Sequence, residues 1–213
     1  MSRDSIIFGV AGTFFGLLVG WIIGSQQGTS PRQAAAAAAP QQQASSATPG
    51  QTAAAPLDES RASALKQAAD RDPRDAQSRL ELANLYFDAE RFEDATRWYE
   101  AALSIDPKNV NASTDLGISY YYTNQPDKAL AQFDRSLAID PRHAKTLLNI
   151  GIVRAFAKED LSGAAKVWQQ VVEISPDSAE GRAARQALDG LRSAHPNLPG
   201  LAPAAGKAPG SPN

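Results

Sequence analysis

The sequence predicts an all-α protein, a solenoid of three helical hairpins with flanking helices, preceded by one membrane-spanning helix. Two observations predict this fold class. Prolines recur at intervals of 34, 34 and 35 residues, at Pro73, Pro107, Pro141 and Pro176, and a period of this length is typical of stacked helical hairpins. Near the amino terminus, residues 6–23 are all apolar, Gly or Thr, which is about the length that a helix needs to cross a bilayer.

Charge and proline content divide the chain into four segments. Residues 1–24 contain the apolar segment. Residues 25–56 are rich in Ala, Gln and Pro and hold one charge, Arg32, so we expect a disordered linker. Residues 57–193 carry 22 acidic and 18 basic residues and are expected to fold. Residues 194–213 are rich in Pro and Gly and are expected to form a disordered tail.

The apolar segment is expected to be an uncleaved signal anchor. A cleaved signal peptide has a shorter apolar region and small residues at its cleavage site, and Ile23 to Ser25 fit such a site poorly; cleavage stays an alternative. Its glycines recur every four residues and share one stripe of a helix, at Gly12, Gly16, Gly20 and Gly24. Such stripes are typical of membrane helices that pack closely, although glycine is common in membrane helices generally. The stripe predicts self-association or docking on another membrane helix.

The flanking charges predict the orientation of this segment. Arg3 lies on the short side, whereas the other flank has only Arg32 as far as Ser60. The positive-inside tendency therefore favours a cytoplasmic amino terminus. The folded domain would then be exported, which means the periplasm for a single-pass protein of a bacterial inner membrane; a cytoplasmic domain stays an alternative.

The composition also excludes several function classes. The formal net charge is −2, without the basic excess that phosphate backbones attract, so no nucleic-acid partner is expected. The chain has no cysteine, which excludes disulfides, thiolate metal sites and a cysteine nucleophile. Its two histidines, His143 and His195, are too few for a histidine metal cluster. Because the sequence also lacks a phosphate-binding glycine loop, we expect neither catalysis nor a cofactor.

Residues of the same type recur in the same phase of each proline interval. The aligned residues are Leu82, Leu116 and Ile150, then Ala83, Gly117 and Gly151, then Ala95, Ala129 and Ala164, then Tyr99, Phe133 and Trp168. Small residues at the second and third of these positions allow two helices to cross closely, and the aromatic residues are expected to fill the gap to the next hairpin. This pattern resembles the tetratricopeptide repeat (TPR) over residues 76–178. The resemblance implies a right-handed superhelix with one concave face.

The resemblance implies three repeats between two capping helices. The boundaries are 57–75 for the first cap, 76–109, 110–143 and 144–178 for the repeats, and 179–193 for the second cap. Asp75, Asn109 and Ser178 follow the prolines at the positions of helix N-caps, and His143 has the equivalent phase but is a poor cap. The third repeat is expected to be the least regular, because it carries an extra residue in its turn near residues 158–160.

The family resemblance also implies that the first helix of each hairpin lines a concave groove. By phase, the lining residues are Gln77, Leu80, Asn84, Phe87 and Asp88; Asn111, Thr114, Ile118, Tyr121 and Tyr122; and Lys145, Leu148, Ile152, Ala155 and Phe156. Aromatic side chains beside amides suit a peptide whose apolar side chains insert while its backbone is hydrogen-bonded. An alternative is that Phe87 and Phe156 only pack against neighbouring helices or against the linker of residues 25–56.

The expected function is that of a membrane-tethered scaffold, which binds a protein or peptide partner in this groove. One subset of the family clamps C-terminal carboxylates, but only Asn84 and Lys145 match its residues. Leu80, Asp115 and Asn149 occupy the other clamp positions, so a full clamp is not expected. Two more specific roles stay open, because the architecture also resembles subunits that present apocytochrome c to the haem-attachment machinery, and accessory factors of the secretion channel.

Overall fold

The computed structural model describes residues 55–201, and within them the chain forms eight consecutive α-helices and no strand. The helices are α1 (Glu59–Arg71), α2 (Ala76–Asp88), α3 (Phe92–Ile105), α4 (Val110–Tyr122), α5 (Pro126–Ile139), α6 (Ala144–Ala157), α7 (Leu161–Ile174) and α8 (Ala179–Ala194). The proposed membrane segment with its glycine stripe, nearly all of the linker and residues 202–213 lie outside the described residues. From 55 to 201, no helix is long and apolar enough to span a bilayer.

The helices pack as hairpins in series. The closest pairings are α2 with α3, α4 with α5, and α6 with α7, while α3 also packs on α4 and α5 on α6. At the two ends, α1 covers α2, and α8 covers α7 and α6. The prediction of an all-α solenoid with three hairpins and flanking helices is therefore confirmed for the described part of the chain.

The N-caps of α2, α4 and α8 follow the sequence prediction. The side-chain oxygens of Asp75, Asn109 and Ser178 accept hydrogen bonds of 2.9–3.0 Å from the backbone N–H three residues later. Each bond satisfies one of the free amide groups at a helix start. His143 occupies the same position before α6 but makes no capping bond.

Small residues bring the two helices of a hairpin together. A Cβ atom added at Gly117 would lie 2.4 Å from the ring of Phe133, and one at Gly151 would lie 2.1 Å from the indole of Trp168. The Trp168 Nε1–H donates a hydrogen bond of 3.1 Å to the carbonyl of Leu148. Phe133 and Trp168 therefore occupy the helix crossing within their own hairpin, rather than only the gap to the next one.

The extra residue of the third repeat lengthens a helix and not a turn, which corrects the sequence prediction. α6 has 14 residues where α2 and α4 have 13, and three residues connect the helices in every hairpin. The N–H of Lys158 donates to the carbonyl of Val153, five residues back, whereas Ala89 and Thr123 bond four residues back. The additional residue is therefore accommodated by a wider last turn of α6.

Candidate functional site

The structure divides the residues of the predicted groove into a buried set and an accessible set. The buried set comprises Phe87, Thr114, Ile118, Leu148, Ile152 and Ala155, each with at most 9% of its surface exposed. Phe87 and Ile118 belong to the main hydrophobic core, and the surrounding protein covers all six side chains. The six buried side chains therefore form the floor beneath the groove rather than its open lining. Repeat phase had predicted that they line the groove.

Phe87 shows what holds the floor together. Its ring packs edge-to-face on Phe92, with 5.4 Å between centroids, and on Tyr99, at 6.2 Å. This is the packing role left open as an alternative for Phe87. Phe156 differs, because 38% of its surface is exposed.

The accessible set is polar and aromatic. It comprises Gln77, Leu80, Asn84, Asp88, Asn111, Tyr121, Tyr122, Lys145 and Phe156, all exposed or half-buried. Leu80 lines a shallow pocket of about 40 Å³ together with Ala76, Gln77, Ala102, Asp106, Asn109 and Ala112. The accessible set lies on α2, α4 and α6, the first helices of the three hairpins.

The residues at the carboxylate-clamp positions are committed to contacts within the chain. Lys145 Nζ lies 2.6 Å from Asp115 Oδ1, and both side chains are only 15% exposed. Asn84 Oδ1 accepts a hydrogen bond of 2.8 Å from the Tyr99 hydroxyl, and Asn149 Nδ2 donates one to the carbonyl of Lys145. The ammonium group that would attract a carboxylate is thus already neutralised.

Asp88 is the contrasting acid of this surface. It is the last residue of α2, it is exposed, and no described residue forms a hydrogen bond or an ion pair with its carboxylate. Desolvation raises its pKa above the ordinary 3.8, and the negative charge of Asp115 adds to this, while Lys145 and Arg61 act in the opposite direction. The surroundings therefore disfavour its charged form more than water would.

Aromatic side chains meet at the same end of the first helices. The rings of Tyr122 and Phe92 stack at 4.2 Å with an interplanar angle of 8°, and the Tyr121 ring lies 5.8 Å from that of Tyr122. Burial raises the pKa of Tyr121 to about 12 and that of Tyr122 further, with Tyr121 and Glu90 adding to the effect. Both tyrosines keep their hydroxyl protons at neutral pH.

A polar network at the other end of these helices connects the second and third repeats. His143 Nδ1 lies 2.7 Å from Thr146 Oγ1, and Nε2 lies 3.2 Å from Asn111 Oδ1. Thr146 also bonds Thr114 at 2.7 Å, with both side chains fully buried. The Thr114 hydroxyl donates a hydrogen bond of 2.8 Å to the carbonyl of Val110, and burial holds the pKa of His143 below 6.5. Sequence reasoning missed this network, whose only signal is a histidine where a capping residue is expected.

Comparisons with known proteins agree with this architecture. Two family profiles described as tetratricopeptide repeat match residues 76–142 and 114–179. No curated protein matches the chain.

Solved structures share the fold. Two crystal structures of MamA superimpose with TM-scores of 0.52 and 0.53 at 20% identity, each over 62% of this chain and over 78% and 74% of theirs. The TPR domain of Arabidopsis OM64 gives 0.52 at 17% identity, over 56% of this chain and 95% of that domain. Together with the hairpins described above, the profile matches show that residues 76–179 are tetratricopeptide repeats, a fold that serves as a scaffold for protein–protein interactions.

Proposed function

We propose that this protein binds a segment of a partner protein on the accessible set of residues along α2, α4 and α6. The observation that carries the proposal is that polar and aromatic side chains remain accessible on the first helices, although the hairpins have already buried their own apolar faces. Solenoids present such extended surfaces to partners. Exposed Phe156 and half-buried Tyr121 provide aromatic anchors of the type that dominates binding energy.

A displayed library of random peptides tests this proposal with the purified full-length chain as bait. We expect the selected peptides to lose affinity for the Tyr121→Ala and Phe156→Ala variants. Ile139→Ala is the matched control, because Ile139 is 37% exposed, close to the 38% of Phe156, but it ends α5 outside the accessible set. Equal loss in all three variants, or peptides that bind every variant unchanged, would place binding elsewhere on the molecule.

In the proposed arrangement the domain is tethered to a bacterial inner membrane by residues 1–24 and lies on the periplasmic side. The support is the apolar run of residues 6–23 and the scarcity of positive charge after it. Alkaline extraction of membranes should leave the full-length chain in the pellet and release a variant lacking residues 1–24. Added protease should digest the domain in spheroplasts with an intact inner membrane; protection there would reverse the orientation.

The glycine stripe supports a contact between membrane helices within the same arrangement. Small residues four apart allow two helix backbones to approach closely and gain van der Waals contact. Replacing Gly16 and Gly20 by Leu should reduce association measured by energy transfer in bilayers, whereas leucines at Ala11 and Ile22, on the opposite face of a helix, should not. Unchanged association of the glycine variant would exclude this role for the stripe.

A further inference from the structure

We propose that the partner segment carries a lysine or arginine flanked by apolar residues, and that this basic side chain binds the carboxylate of Asp88 against the tyrosines at the end of α4. This inference rests on the proposed function and specifies the chemistry of its ligand. It is argued from charge complementarity, from the aromatic surface and from the position of the small pocket at Leu80.

The charges on the groove side favour a cation. Among the described residues at groove positions, the one basic side chain is Lys145, and Asp115 neutralises it at 2.6 Å. Asp88 forms no such ion pair, and Asp115 adds negative charge near it, since it raises the pKa of Asp88. The two cations that act on Asp88, Lys145 and Arg61, are paired with Asp115 and Glu81, so a partner that brings an acidic side chain or a C-terminal carboxylate would meet repulsion from Asp88.

The environment of Asp88 makes a positive partner favourable. Neighbouring atoms already remove part of the water around the carboxylate, which is the main reason that its pKa lies above the ordinary value. The charged form has therefore lost solvation without gaining a counter-ion. A lysine or arginine that binds there supplies the missing charge–charge interaction, which is stronger in partly desolvated surroundings than in bulk water.

The aromatic residues supply the second part of the site. Asp88 ends α2, and Tyr121 and Tyr122 lie in the last turn of α4. The stack of Tyr122 on Phe92, four residues after Asp88, places the end of α4 beside the turn that follows α2. Basic side chains lay their alkyl stems on apolar surface and place their charge over aromatic faces. The chain already uses this contact elsewhere, with the Arg91 guanidinium 5.0 Å from the centre of the Tyr86 ring.

The pocket at Leu80 accounts for the apolar flank of the ligand. Leu80, Asn84 and Asp88 follow each other at four-residue spacing on α2, so the pocket lies about 12 Å from Asp88 along the helix axis. An extended peptide covers that distance with about four residues. A pocket of about 40 Å³ bordered by Ala76 and Ala112 accepts a small apolar side chain, such as alanine or valine.

Three sets of synthetic peptides, each about ten residues long and able to span both sites, test the proposal by fluorescence anisotropy with the purified full-length chain. All sets share an alanine or valine about four residues from a test position. The test position is lysine in the first set, methionine in the second and glutamate in the third. We expect affinity to decrease from lysine to methionine to glutamate, and the preference for lysine to diminish as salt is raised.

Two matched variants assign the effect to one carboxylate. Asp88→Asn should weaken binding of the lysine set by about tenfold, the loss that follows from removing a hydrogen bond to a charged group, and should leave the methionine set unchanged. Asp134→Asn removes an exposed acid on α5, outside the groove, and should change neither set. Retained binding of the methionine set also shows that the Asp88→Asn variant is folded.

The outcomes separate this inference from the function on which it rests. If the displayed library selects no groove-binding peptide, the proposed function fails and the inference fails with it. If the library selects such peptides but none of the three sets binds, only the inference is overturned. If peptides bind without preference for lysine, or if Asp88→Asn leaves the lysine set unaffected, the inference is overturned while groove binding stands. A Lys207→Gln variant tests whether the chain's own tail competes for the site. If this variant binds the lysine peptides more tightly, the tail occupies the site, and the inference that a separate partner binds there is overturned.

Discussion

Replacing Gly151 by alanine should destabilise the protein, although alanine is the better helix former. Gly151 lies inside α6, where its backbone contacts the indole of Trp168. The new Cβ would lie 2.1 Å from Nε1 and 2.5 Å from Cδ1 of that ring, whereas ordinary contacts begin near 3.4 Å. The indole, which is 2% exposed and hydrogen-bonded to the Leu148 carbonyl, must therefore move by more than 1 Å.

Three terms determine the size of the effect. Overpacking of a tightly packed interior costs typically about 1–3 kcal/mol. Weakening the bond from Trp168 to Leu148 costs about 0.5–1.5 kcal/mol. The higher helix propensity of alanine returns about 1 kcal/mol. We therefore expect the free energy of unfolding to decrease by roughly 0.5–3.5 kcal/mol, the sum of these opposing terms.

Urea unfolding of the full-length chain, followed by far-ultraviolet circular dichroism, measures this change. The control is the same substitution in a Trp168→Tyr background, because the first repeat combines alanine and tyrosine at these phases, as Ala83 and Tyr99, both buried. In that background Gly151→Ala should be neutral or stabilising. An equal loss of stability in both backgrounds would refute the steric explanation, as would a stable Gly151→Ala variant with Trp168 in place.

Three further predictions concern charge, backbone strain and pH. Glu90 has a left-handed φ of 55°, a conformation that costs a non-glycine residue roughly 1–2 kcal/mol. Glu90→Gly should therefore raise the urea midpoint of unfolding. Asn124→Gly, at φ 59°, should raise it less, because asparagine tolerates that region. Asp115→Asn should lower the free energy of unfolding by about 1–3 kcal/mol, since it leaves the largely covered ammonium of Lys145 without its partner. Burial lowers the pKa of His143 in the fold, so the unfolded chain binds more protons than the folded chain below pH 6.5. Stability therefore decreases as the pH falls from 6.5 towards the lowered pKa. His143→Gln should flatten this part of a plot of melting temperature against pH.

Local features of the fold could be predicted from the sequence. The proline period and the N-caps Asp75, Asn109 and Ser178 depend on interactions within a few residues, and the structure shows each helix start where these residues place it. The close crossings at Gly117 and Gly151 could also be predicted, because a fixed repeat phase sets small residues opposite large ones.

The depth of the groove could not be predicted in the same way. Repeat phase gives the face of a helix on which a residue lies, but not how closely the next helix approaches that face. Leu80, Thr114 and Leu148 share one phase, yet Thr114 and Leu148 are fully buried whereas Leu80 borders a pocket beside Ala112. The bond between Thr114 and Thr146 spans 32 residues, and no local pattern indicates it.

The polar network of His143 also limits how the repeats can be rearranged. The first and second repeats meet through Leu80 and Ala112, whereas the second and third meet through hydroxyl groups on Thr114 and Thr146. A shuffled array that set Leu80 against Thr146 would bury a hydroxyl beside an aliphatic side chain, at a cost of about 1–3 kcal/mol if it finds no other partner. The three repeats therefore behave as ordered parts rather than interchangeable copies, and a gene duplication that lengthened the array would have to reproduce whole interfaces, not single hairpins.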